Sequence, residues 1–137
     1  MTRKQIVISL VFAAAMLVAS HTANAQFISK YGFSSDADGK DVKVMVDPGY
    51  PGIYCFATYP HPMPERKFKF VWTFTNLDTQ QRTEVFSEEV NNPPGTIITS
   101  HFAPSGGLKH GTYDVNLFID GQNRKSARII VQKPRPN

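Results

Sequence analysis

Cysteine, catalytic motifs and clustered positive charge are scarce in this sequence. Cys55 is the only cysteine among 137 residues, so no disulfide can form within the chain. Neither a G-x-S-x-G elbow nor an H-E-x-x-H pair occurs, which removes the usual signatures of serine hydrolases and zinc proteases. No Lys/Arg cluster points to nucleic acid or to an anionic membrane surface. There is no internal repeat and no heptad, nothing calls for a cofactor, and no convincing helix pattern follows the first segment.

The one long apolar run, Ile6 to Ala19, falls short of the roughly 20 residues that span a bilayer. Arg3 and Lys4 precede it, and Ala23-Asn24-Ala25 forms a small-residue cleavage site before Gln26. Residues 1–25 therefore read as a signal peptide, with a retained anchor disfavoured by the length of the run. The expected product is periplasmic or secreted and has no membrane span after cleavage. Without Arg3 and Lys4 the 15 basic side chains fall to 13, against 11 acidic ones, so the basic balance belongs partly to the leader. The remaining length suits one domain that buries about two-thirds of its unfolded surface.

What the chain does have is alternation. In Lys67 to Thr75, KFKFVWTFT, four aromatic residues fall on alternate positions and share one face of an extended chain. Val71 is the only apolar residue on the opposite face. Val42–Val46, Gly52–Tyr59 and Thr96–Ala103 also read as strands, and Arg82–Val90 reads as a charged edge strand. Tyr113, Val115, Leu117 and Ile119 alternate up to Asp120-Gly121, and Ala127, Ile129 and Val131 alternate beyond it, which is a β-hairpin signature. Residues 26–41 are expected to be an N-terminal arm or edge strand. The sandwich proper is expected over 42–132, with a disordered tail at 133–137. Seven or so short strands make the chain an all-β sandwich.

Across roughly Val42 to Gln132 the chain resembles the immunoglobulin-like and fibronectin type III-like β-sandwich superfamily. Cys55 stands where that fold places its first core cysteine, and Trp72 where it places a buried tryptophan on the next strand. Tyr113 resembles the tyrosine corner, two residues before the second cysteine position, which is Val115 here. The resemblance implies an immunoglobulin-like β-sandwich of about seven antiparallel strands, without its inter-sheet disulfide. It does not imply a function.

Candidate chemistry is thin. His61 and Met63 lie in the proline-rich loop Tyr59 to Pro64, and imidazole with thioether suits copper, with His101 or His110 as a third ligand. A plain surface loop explains the same residues. Asp36, Asp38 and Asp41 could offer oxygens to calcium, but the spacing fails the EF-hand pattern and turn chemistry accounts for them. Ser100 and His101 are adjacent on a strand and face opposite ways, so they cannot act as nucleophile and base. Glu88 and Glu89 are divided in the same way and read as a solvated edge. Cys55, flanked by apolar residues, reads as buried and inert.

The best lead is an apolar second face. If Cys55 points inward, Tyr54 and Phe56 point outward, with Tyr59 at the end of the same strand. Phe118 and Ile130 lie opposite Val115, Leu117 and Ile129. These five residues are the expected partner-binding surface, unless the arm through Phe27, Ile28, Tyr31 and Phe33 covers it. The expectation is a non-catalytic module that binds a protein in the periplasm or cell envelope. Copper binding through His61 and Met63, or enzyme inhibition through the loops after Tyr59 and Ala103, are the alternatives. Homo-oligomerisation is left open.

Overall fold

The computed structural model describes residues 28–59, 66–91 and 95–133. The expected signal peptide, the loop carrying His61 and Met63, and Pro134–Asn137 lie outside the described residues. Among the described residues there are nine strand segments: β1 (Lys30–Ser34), β2 (Val42–Lys43), β3 (Met45–Val46), β4 (Ile53–Thr58), β5 (Lys67–Thr75), β6 (Arg82–Asn91), β7 (Ile97–Phe102), β8 (Gly111–Ile119) and β9 (Gln122–Val131). They form a four-stranded sheet in the order β2-β1-β4-β7 and a five-stranded sheet in the order β3-β9-β8-β5-β6.

Alternation decides what lies between the sheets. Phe68, Phe70 and Trp72 of β5 are buried, Phe74 is half-buried, and Lys67 and Lys69 are exposed. Val115, Leu117, Ile129 and Val131 bury beside them from β8 and β9. The facing sheet contributes Phe33, Cys55, Ala57 and Ile98. Each large side chain so buried contributes about 1.5–3 kcal/mol. Phe33 meets Trp72 edge-on at 5.8 Å. The indole N–H of Trp72 donates to the buried Ser100 hydroxyl at 2.9 Å, which satisfies the one polar atom a tryptophan brings into a core.

Two expectations about the N-terminal third are corrected. β1 is neither an arm nor an edge strand: it pairs with β4 on one side and β2 on the other, and so belongs to the sheet. It does not cover Tyr54 and Phe56, because it lies beside β4 in the same layer. Phe33 enters the core, and the half-buried Tyr31 sends its hydroxyl to the Val115 carbonyl at 2.9 Å. Val42–Val46, expected as one strand, changes sheets at Val44. β2 stays with β1, while β3 runs parallel to β9, with Ile130 N–H donating to the Val44 carbonyl. The strands are therefore not all antiparallel.

The β8–β9 hairpin forms as its sequence implies. Asp120 (φ 49°) and Gly121 (φ 82°) occupy the two turn positions, both left-handed. The Asp120 carboxylate accepts from the Lys67 amide at 3.1 Å and from the Arg66 guanidinium at 2.9 Å. Those bonds hold its carboxyl below the usual carboxylate range, the Lys67 amide contributing most.

Candidate partner-binding surface

The five residues expected to form one patch occupy four separate places. Tyr59 is a correction. It is buried in the core and its ring stacks on Phe68 at 6.5 Å. Its position shares parity with Ile53, Cys55 and Ala57, so the inward face simply continues past the end of β4.

Phe56 is a second correction. It projects from the outer face of the four-stranded sheet, yet only 3% of its surface is exposed. The turn from Ser35 to Asp41 folds over its ring. Gly39 sits there at φ +69°, and a Cβ at that position would stand 2.9 Å from the Phe56 ring. The Asp36 carboxylate shapes this turn by accepting from the Lys40 and Asp41 amides at 2.9 and 3.1 Å. Of Asp36, Asp38 and Asp41, Asp36 thus serves as the hydrogen-bond anchor of this cover over Phe56.

Tyr54 remains half-buried on that same face. It lies directly opposite His101 on β7, and the two rings stack at 4.1 Å and 16°. Ser100 points inward to Trp72 while His101 points out, so the two do not form a catalytic pair. Cys55 is wholly buried, and burial pushes its thiol up to about 12, far from a reactive thiolate. The loop after Ala103 is tied to the neighbouring turn through Leu108 N–H to the Tyr50 carbonyl and Gly49 N–H to the Leu108 carbonyl.

Phe118 and Ile130 share the outer face of the five-stranded sheet but sit at opposite ends of it. Ile130 pairs with Thr112, and six residues along β8 separate Thr112 from Phe118, about 20 Å of strand. Ile130 is exposed beside Met45, near the exposed Val44 and Val42.

Phe118 lies in better company. A bulge opposite Leu117 and Phe118 leaves Arg124 as the extra residue on β9 and re-aims the strand. Phe118 then lines an open groove of about 540 Å³ together with Val71, Lys67, Lys69, Glu84, Glu89 and Gly121. Lys69 stands directly between Phe118 and Glu89 in cross-strand register. Two cations from β5 and two anions from β6 thus flank an apolar floor, and among the described residues none of the four makes an ion pair. The sequence marked this site faintly through Val71, the single apolar residue on the polar face of β5. The glutamates gave no such sign, because only strand pairing brings β6 beside it.

The fold defines an immunoglobulin-like β-sandwich. β1, β4 and β7 face β9, β8 and β5 in the strand order of that class, and Trp72 fills its core on the third long strand. The Tyr113 hydroxyl accepts from the Lys109 amide at 3.0 Å, which is the backbone bond of a tyrosine corner. No protein-family profile and no curated protein matches the chain. Among solved structures, an immunoglobulin-like protein from Pseudomonas aeruginosa is similar at 10% identity and a TM-score of 0.47, over 75% of this chain and 90% of that one. The Pseudomonas fluorescens alkylpurine DNA glycosylase AlkC, bound to DNA containing an abasic site analog, is similar at 8% identity and a TM-score of 0.42. That likeness covers 77% of this chain but only 30% of the glycosylase.

Proposed function

We propose that the protein is an exported, non-catalytic binding module that recognises another protein in the periplasm or cell envelope. The observation carrying this reading is the groove on the five-stranded sheet, where Phe118 and Val71 form an apolar floor between lysines and glutamates that make no ion pair among the described residues. Such a combination supplies contact area at its centre and charge-based selectivity at its rim. The leader sequence supports the export part of the reading, and the buried Cys55 and divided Ser100–His101 support the non-catalytic part.

Affinity capture with the chain from Gln26 to Asn137 tests the proposal. A stoichiometric protein from envelope or culture fractions is expected to bind the wild type and Tyr54→Ala. Phe118→Ala is expected to lose at least about tenfold in affinity, as an interface anchor does, while keeping its thermal midpoint. Capture by no variant, or equal capture by Phe118→Ala, overturns the reading.

A further inference from the structure

Among the described residues β6 is the terminal strand of the five-stranded sheet, and no strand pairs with its outer edge. None of its ten residues is buried, and beyond the bulge near Val85 the stretch Phe86 to Asn91 pairs with β5 without interruption. A regular edge of this length presents a row of backbone donors and acceptors to any extended chain.

Its inward face is unusual. Phe86, Glu88 and Val90 alternate there, and the two apolar residues pack only partly against the core. Between them Glu88 Oε2 is shut off from solvent and has no hydrogen-bond partner among the described residues. A carboxylate oxygen held in that condition is costly, and a donor brought to it would be strongly favoured. On the outward face, Glu84 and Glu89 make no ion pair among the described residues.

We propose that β6 is a docking edge for an extended, basic segment of a partner protein. The segment adds as a sixth strand and places an apolar–x–basic–x–apolar pattern against Phe86, Glu88 and Val90. Charge complementarity selects this occupant over a second copy of the chain. β6 carries Glu84, Glu88 and Glu89 against the single Arg82, so β6 pairing with itself would set like charges together. The inference rests on the binding-module reading and goes beyond it, adding a second contact on the β6 edge next to the Phe118 groove.

The test titrates the isotope-labelled chain from Gln26 to Asn137 with the peptide Thr-Val-Thr-Lys-Thr-Val-Thr, capped at both ends. This peptide reads the same in both directions and so presumes no strand polarity. A second peptide with glutamate in place of lysine is the control. Amide shifts and slowed exchange are expected along Phe86–Asn91 with the lysine peptide. Glu88→Gln should weaken that binding about tenfold or more, the effect of losing one charged hydrogen bond. Glu88→Lys should reverse the preference towards the glutamate peptide. Absence of binding, equal binding of both peptides, or shifts confined to Val71 and Phe118 overturns the proposal, as does dimerisation through β6 that the lysine peptide does not compete away. The proposed function fails separately, through Phe118→Ala in the capture experiment.

Discussion

Trp72 shows how one residue draws both sheets together. Its ring is wholly buried against Phe33 and Phe102, and its indole N–H depends on the Ser100 hydroxyl of the opposite sheet. Ser100→Ala removes that acceptor and leaves a buried donor unsatisfied. We expect a loss of about 1–3 kcal/mol in denaturant unfolding with an unchanged m-value. Ser100 was legible only as a polar residue on an apolar strand, because its partner lies 28 positions away in sequence. Gly111 is a comparable case. It sits at φ +147°, and an added Cβ would lie 2.4 Å from the Thr75 carbonyl oxygen.

At the scale of elements, the β8–β9 hairpin was the most legible part of the chain, since Asp-Gly between alternating runs is a local signal that needs no distant partner. Its turn also carries a pH dependence. The folded carboxyl of Asp120 is held below its unfolded value of about 3.9 by the Lys67 amide and the Arg66 guanidinium. A depressed folded value means that this stabilisation is fully present above the unfolded value and is lost as pH falls through the folded one. Asp120→Asn, which tolerates positive φ, should therefore narrow the gap in thermal midpoint between neutral pH and pH values below about 4. An acid sensitivity identical to wild type would exclude this role. The β1 segment was far less legible, because Lys30–Ser34 offers only Tyr31 and Phe33 on alternate positions.

At the scale of the whole molecule, β1 sets where the domain begins. It separates β2 from β4 and supplies Phe33 to the core, so the expected boundary at Val42 falls inside the folded unit. A chain starting at Val42 would expose the edge of β4 and leave Trp72 without its edge-on neighbour. It should show neither a cooperative thermal transition nor a dispersed amide spectrum, whereas the chain from Gln26 should show both. A cooperative transition in the shorter chain would mean that β1 is dispensable.

The sequence by itself determined the period-two faces of β4, β5, β8 and β9, the hairpin turn, the edge character of β6 and the burial of Cys55. Each follows from side-chain order along a single strand. Only the tertiary structure decided that Phe56 lies beneath the Gly39 turn and that Tyr54 and Phe118 sit on opposite faces. It also decided that Val71 and Phe118 share a groove with Glu84 and Glu89, and that Glu88 turns its carboxylate inward on an open edge. Those outcomes depend on which strands become neighbours and on which loop folds over which face, and such pairings leave no trace in a local pattern of residues.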